Sequence, residues 1–418
     1  MKWQGIVFLD AEKFSQLIEV QGHLIDSLIL TRILDGIMDR QGDFEILEFH
    51  VGKRKDDHSY ARIEVIGNSK KHLDGMLREL FRLGATVPET PEVTYEAAVA
   101  DAVAPQDFYS TTHHHTEVYH GSEWITVEHI MMDKQIIIEP DVPRAYCKPL
   151  RDIQKGDMVV TGENGVKIKL PERPREGVGI FEFMSNDVSS ERPSAFIIKQ
   201  IAKDLHETVK KGGKVAIVAG PAVIHTGGAP GLASLVEMGY IHSVLSGNAL
   251  ATHDIEYALY GTSLGVELSQ RSKATEPRNH IAAINEVNRA GSIKALVDSG
   301  RLTKGIFYQL TKKGVPYALA GSIRDDGPLP EVIQSSVESQ KRYMELIEDA
   351  DFVIMLATTL HSIAVGNMLT SRVKIVIVDI NPAVVTKLSD RGTSQAVGIV
   401  SDVGTFLPLL VSELEKLG

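Results

Sequence analysis

Phe352-Val353-Ile354-Met355-Leu356 runs into Ala357-Thr358-Thr359-Leu360-His361-Ser362, and further along Lys374-Ile375-Val376-Ile377-Val378 ends on Asp379. The first run is apolar at every position, as a strand covered on both faces of a parallel sheet requires. The threonine-bearing stretch reads as a turn into a helix, and the second apolar run as the neighbouring strand. In a dinucleotide-binding unit the first strand delivers the chain to a helix N-terminus, whose free N–H groups and dipole favour a pyrophosphate. A carboxylate about twenty residues on, at the end of the next strand, accepts ribose hydroxyls. Asp379 stands at that place, and its charge would repel the extra phosphate of NADP, so the expected cofactor is NAD. The G-x-G-x-x-G fingerprint is absent, with Thr358-Thr359 in its stead.

Working outward, further apolar runs at Val215–Ala219, Ser243–Leu245, Tyr317–Ala320 and Val397–Val400 alternate with helical patterns at Ala195–Val209, Pro230–Met238 and Glu331–Ile347. The alternation predicts an α/β fold, with a Rossmann-like parallel-sheet NAD-binding domain over 194–418. Open parallel sheets bind ligands at the carboxyl ends of their strands. Four further loops fall there: Ala219–Gly228, Ser246–Asp254, Gly321–Pro328 and Ser401-Asp402-Val403. Their glycines allow close backbone approach, and their Asn and Asp side chains suit ribose and amide groups.

The preceding chain reads differently. A helix is predicted from Leu24 to Arg40, strands at Phe44–Val51 and Tyr60–Ile66, and a helix from Lys70 to Leu83 that stops at Gly84. These make an N-terminal α+β domain over 1–110. Over 111–193, short strands at Thr116–His120, Trp124–Val127, Gln135–Ile138, Met158–Thr161 and Gly165–Leu170 predict a small β-rich middle domain. The proline-rich Pro171–Gly177 reads as a connector.

Composition removes several functions. A net charge of −11 disfavours nucleic acid and anionic membrane surfaces. No apolar run approaches a membrane span, and Met1–Phe14 lacks a signal-peptide core. The single cysteine, Cys147, excludes an intramolecular disulfide and a thiolate metal cluster, consistent with a reducing cytoplasm.

Two longer stretches carry a family resemblance. Gly22–Ser27 and Val51-Gly52-Lys53-Arg54-Lys55-Asp56-Asp57-His58-Ser59-Tyr60-Ala61-Arg62 resemble the region shared with plant lysine-ketoglutarate reductase/saccharopine dehydrogenase. The loops Ala219–Gly228, Gly247–Asp254 and Gly321–Pro328 resemble the archaeal-type ornithine cyclodeaminases, whose module also ends the bifunctional arginine dihydrolase/ornithine cyclodeaminases. The resemblance implies conversion of L-ornithine to L-proline and ammonia, with bound NAD taking and returning a hydride. It implies cofactor contacts at Asn248, Ala249, Asp326, Thr358, Thr359, Leu360, His361, Asp379, Asp402 and Val403. It also implies an NAD domain of the deoxyhypusine synthase/sirtuin type. The lone cysteine removes the zinc site of a sirtuin, and no deoxyhypusine synthase lysine motif is present.

Such a reaction needs a base for the substrate ammonium. His253 and Asp254 are the candidates, with helix capping as the competing role for Asp254. Arg54, Lys55, Arg144 and Arg151 are candidate carboxylate partners, though a solvated surface position or a structural ion pair is the commoner role for each. His113-His114-His115 is not expected to bind metal, because consecutive strand residues face opposite sides. No metal is predicted, Cys147 is read as structural, and a homo-oligomer is expected. Two alternatives remain at this stage: the same chemistry on lysine or another basic amino acid, or a non-enzymatic NAD-binding sensor.

Overall fold

The protein is described by a computed structural model over residues 14–24, 28–53, 57–88, 91–169, 194–263, 266–267, 278–325, 327–391 and 396–418. The chain divides into two compact units, Met1–Gly177 and Val178–Gly418.

In the first unit β1 (Phe14–Gly22), β2 (Asp43–His50) and β3 (Ser59–Gly67) form an antiparallel sheet in the order β1-β3-β2. The central strand buries Ala61, Ile63 and Val65 at alternate positions, as the strand period demands. Against them pack α1 (Ile29–Met38) and α2 (Lys70–Arg82) through Ile33, Ile37, Leu73, Met76 and Leu80. The helix expected from Leu24 is shorter because Leu28 adopts a left-handed conformation at φ 58. Ser69 caps α2, its Oγ accepting from the His72 N–H at 3.2 Å, and Gly84 follows at φ 89.

A second sheet follows from β4 (Thr94–Ala97), β5 (His115–His120), β6 (Glu123–Glu128), β7 (Gln135–Glu139), β8 (Arg144–Lys148), β9 (Met158–Thr161) and β10 (Val166–Lys169). Their order is β10-β5-β6-β8-β7-β9-β4, antiparallel except where β8 runs parallel to β6. β1, β4 and β8 were not anticipated. Each carries polar or charged residues over much of its length, so the apolar alternation is weak. The connector Pro171–Gly177 lies outside the described residues.

The second unit opens with α3 (Ser194–Lys210), β11 (Lys214–Ala219), α4 (Ala222–His225) and α5 (Ala229–Glu237). Next come β12 (Ser243–Gly247), α6 (Asn248–Tyr260), the short pair β13 (Thr262–Ser263) and β14 (Val266–Glu267), α7 (Arg278–Ala290), α8 (Ile293–Asp298) and α9 (Ile306–Lys313). β15 (Tyr317–Ala320), β16 (Val332–Ile333), α10 (Ser336–Ile347), β17 (Ala350–Leu356) and α11 (Thr359–Gly366) follow. The chain finishes with β18 (Lys374–Asp379), α12 (Pro382–Arg391), β19 (Ala396–Val400) and α13 (Val403–Glu415). The sheet is parallel throughout, in the order β16-β15-β12-β11-β17-β18-β19.

Alternation along these strands divides the core. Val215, Ile217, Ile354 and Val376 face one layer of helices, including α3, α5, α6, α9 and α13. Ala216, Val218, Val353 and Ile375 face α10, α11 and α12. From β11 the chain builds outward to β16, then returns to lay β17 along the other side of β11. The connections leaving β11 and β17 therefore go to opposite faces, which makes this the topological switch point. No helix among the described residues is long and apolar enough to cross a membrane.

Candidate functional site

The switch point brings two of the predicted loops into contact. Gly220, just after β11, donates its N–H to the Leu356 carbonyl at 2.9 Å. A Cβ at Gly220 would lie 2.2 Å from the Ala357 carbonyl oxygen, so only glycine permits this approach. Ala357 itself sits at φ 47, turning the chain sharply into α11. Thr358 is the N-cap of that helix but makes no side-chain capping bond, which leaves the first-turn N–H groups without one.

One strand over, α6 begins directly at the end of β12, and its N-cap is Gly247, with no side chain to cap it. A Cβ there would lie 3.1 Å from His361 Nε2, so the imidazole faces the Gly247–Asn248 turn. Tyr343 fixes the ring. Its hydroxyl donates to the Ser246 carbonyl at 2.6 Å and lies 3.0 Å from His361 Nδ1. The single phenolic proton is used on Ser246, so His361 Nδ1 carries the proton and Nε2 is left as an acceptor. Burial holds the His361 pKa below its ordinary value, so the ring is neutral at pH 7. Asn248 is buried, and its Oδ1 accepts from the Leu329 N–H at 3.1 Å and from Thr252 Oγ at 3.4 Å. It thereby ties the segment following Asp326 to α6; Asp326 itself lies outside the described residues.

The other predicted contacts line the same edge. Asp379 ends β18 half-buried, its Oδ1 accepting from the Asn381 N–H at 2.8 Å. Asp402 caps α13 through the Gly404 N–H at 2.7 Å, with Val403 buried behind it. Ala249 is half-buried in the first turn of α6 and Thr359 in that of α11. Leu360, Ile380 and Ile323 are large apolar side chains left 75%, 71% and 107% exposed on these connections. Uncapped N–H groups suit phosphates, Asp379 suits a ribose diol, and exposed aliphatic side chains suit flat heterocyclic rings. The donor set fits a dinucleotide.

The proposed base pair separates in the structure. Both His253 and Asp254 lie inside α6, not ahead of a helix starting near Ile255. Asp254 is fully buried and reaches across to α9, where Oδ1 and Oδ2 accept from the N–H groups of Ile306 (3.0 Å) and Phe307 (2.9 Å). It caps that helix, whose own N-cap, Gly305, has no side chain. His253 points elsewhere. Its Nδ1 lies 3.2 Å from Oε2 of the fully buried Glu256, one turn along α6. His280 of α7 places Nδ1 3.6 Å from the same oxygen and finds no hydrogen-bond partner. His225, at the end of α4, packs its ring 4.7 Å from that of His253 and pairs Nδ1 with Ser263 Oγ at 2.7 Å. Thr262 Oγ donates to Glu256 Oε1 at 2.9 Å. Sequence reasoning missed Glu256 and His280. The spacing of His253 and Glu256, three apart on one helical face, was the available signal; His280 had none.

The discounted residues are also placed. Cys147 is buried in β8, and burial pushes its thiol up to about 11, which makes it a poor nucleophile. His113 and His114 precede β5 and pack against each other with ring centroids 4.3 Å apart and planes tilted by 43°. Burial lowers both pKa values, that of His114 to about 4.

Three family profiles tile the chain. The LOR/SDH bifunctional enzyme conserved region matches 15–114, the first region of the arginine dihydrolase ArgZ-like C-terminal part matches 115–198, and its Rossmann fold matches 199–410. An ornithine cyclodeaminase of Methanothermobacter thermautotrophicus is 54% identical over 401 residues, covering 96% of this chain and 98% of the relative. The crystal structure of apo ArgZ, an arginine dihydrolase from the ornithine–ammonia cycle in cyanobacteria, superposes with a TM-score of 0.83 at 41% identity, over 97% of this chain and 59% of that one. The ternary complex of AgrE with ornithine and NAD+ superposes with a TM-score of 0.53 at 40% identity, over 98% of this chain and 58% of that one. With a Rossmann-fold profile over half its length and a relative of this identity end to end, the chain belongs to the LOR/SDH and ArgZ-like C-terminal family, that of the archaeal ornithine cyclodeaminases.

Proposed function

We propose that this protein is an NAD-dependent ornithine cyclodeaminase, an ammonia-lyase that converts L-ornithine to L-proline. The observation that carries the reading is the 54% identity over 96% of the chain to a relative of that name, together with the loops that the described residues place along the switch-point edge. NAD, when bound, supplies an acceptor for the substrate α-hydride and later returns it. The N–H groups at the starts of α6 and α11 would hold its phosphates and Asp379 a ribose. Asn248, Ala249, Asp326, Leu360, His361, Asp402 and Val403 would line the remaining surface.

The chain's own work is positioning and proton management. Holding ornithine curled against this edge brings its δ-amine to the oxidised α-carbon, where proximity favours ring closure with loss of the α-nitrogen as ammonia. His361 Nε2, held by Tyr343, offers a neutral acceptor beside Asn248. Of the original pair, Asp254 is reassigned to capping α9, and His253 stays with the reaction through the buried cluster around Glu256. The reading extends to proline supply from ornithine in a reducing cytoplasm, which the lone, buried Cys147 suits, and to a homo-oligomeric assembly.

The test is incubation of the purified protein with NAD and L-ornithine deuterated at the α-carbon. Equal amounts of proline and ammonia, no net NADH and deuterium retained at the proline α-carbon are expected. Turnover of lysine in preference to ornithine would move the substrate, and bound NAD with no turnover of either would make the protein a sensor.

A further inference from the structure

We propose that His253, Glu256 and His280 form a binding site for a divalent transition-metal ion, with zinc as the first candidate. All three residues belong to the second unit, and the site does not depend on the identity of the amino-acid substrate.

His253 and Glu256 are three residues apart on α6 and so share one face, a spacing by which a single helix offers an imidazole and a carboxylate to one ion. His280 arrives from α7, packed alongside. The three candidate donor atoms, one from each residue, all lie within 4.8 Å of one another. Glu256 Oε2 is 3.2 Å from His253 Nδ1 and 3.6 Å from His280 Nδ1. A tetrahedral ion with bonds of about 2.0–2.1 Å separates neighbouring donors by about 3.3 Å, between these two values. Two imidazoles and one carboxylate are also a donor set of catalytic zinc, which keeps a fourth position open.

Two further observations favour an ion over a simple hydrogen-bonded network. Glu256 is fully buried, where an ionised carboxylate is costly unless a positive group faces it. His280 Nδ1 is buried, points at that carboxylate and stops short of a hydrogen bond, so a ring nitrogen is aimed into the cluster and left without a partner. The outer shell is in place as well. Thr262 Oγ holds the far carboxylate oxygen at 2.9 Å and is itself held by Asn279 Nδ2 at 3.1 Å. Such partners fix the ligand that a metal needs. His225 packs its ring 4.7 Å from that of His253 and is held in turn by Ser263 Oγ, 2.7 Å from its Nδ1, so the ligand ring is braced from that side as well.

The test is metal content and spectroscopy of the full-length protein. Zinc is expected at about one equivalent per chain after dialysis, and cobalt(II) alone, added to stripped protein, should give the intense visible bands of a four-coordinate ion. His280→Ala, at the most exposed of the three ligands, should lose both signals while its melting curve stays cooperative. Thr262→Val should weaken cobalt affinity by about 10- to 100-fold. Replacing His113, His114 and His115 together should change neither signal. Absence of stoichiometric zinc and cobalt binding in the wild type overturns the proposal, as does undiminished binding in a folded His280→Ala protein. If His280→Ala fails to fold, the Thr262→Val titration decides in the same way.

Discussion

Both carboxylate oxygens of Asp254 are taken by the first N–H groups of α9, and Gly305 leaves exactly the room they need: a Cβ there would lie 2.9 Å from Oδ2, at a φ of 106 that other residues avoid. Asp254→Ala should therefore destabilise the protein by about 1–3 kcal/mol, because two buried donors lose their acceptor; urea melts measure it. The group also has a pH signature. Burial pushes its carboxyl from 3.8 up to about 6, against the pull of the two N–H donors. The folded state thus holds this proton more tightly than the unfolded chain. Its contribution to stability is complete below pH 3.8 and is lost as the pH rises through about 6. Wild type should lose stability relative to Asp254→Asn across that window, and two parallel stability curves would count against the assignment. Asp379 makes the contrasting case at the cofactor edge. Asp379→Ala should leave the melting temperature nearly unchanged and cost roughly 1.5–3 kcal/mol of NAD binding, roughly 10- to 150-fold in Kd, as read by calorimetric titration. Unaltered affinity would remove Asp379 from the site.

Among the elements, the contact between the connections leaving β11 and β17 is the tightest constraint on the site. Gly220→Ala sets a methyl group against the Ala357 carbonyl, so the two connections must move apart. A stability loss of about 1–3 kcal/mol is expected, with weaker NAD binding because the N-terminus of α11 moves too. Denaturant melts and NAD titration of the variant test both. The elements that proved easy to read are those whose side chains are uniform. β17 and β18 are apolar on both faces because helices cover both, and Asp379 breaks the run where the strand reaches solvent. β8 shows the opposite situation: Arg144 and Lys148 bound it, and its two buried positions are the small Ala145 and Cys147, so the alternation is too short and too weakly hydrophobic to mark a strand. The candidate site divides in the same way. The loops of the candidate edge were legible because strand ends are local features. The His253–Glu256–His280 cluster was not, because His280 stands on a different helix, α7, and no sequence period links it to the face of α6. The role of Asp254 as the cap of α9 was hidden for a related reason. Its partner helix begins fifty-two residues later in the chain, and capping at that distance leaves no trace nearby.

For the molecule as a whole, cofactor binding is assigned to the second of the two units, and the protein carries a natural means of telling them apart. Its two tryptophans, Trp3 and Trp124, both belong to the first unit. Tryptophan fluorescence therefore follows residues 1–177, whereas calorimetry follows the entire chain. NAD at a hundred times its Kd should stabilise the native state of the second unit by about 2.7 kcal/mol, seen as an upward shift of its calorimetric transition. A calorimetric trace indifferent to NAD would contradict the cofactor assignment.

The strand order has a consequence for how the chain is made. The hydrogen bond that anchors the start of β11 beside β17, from the Lys214 N–H to the Asp351 carboxylate, joins residues 137 positions apart. At a synthesis rate of roughly 5–20 residues per second, β17 leaves the ribosome some 7–27 seconds after β11, roughly. For that interval the nascent protein holds an open edge on a strand buried from Val215 to Ala219, the kind of surface on which neighbouring chains add strands of their own. Crowded polysomes and slow translation between residues 220 and 350 are thus the conditions under which this protein should aggregate before it is finished.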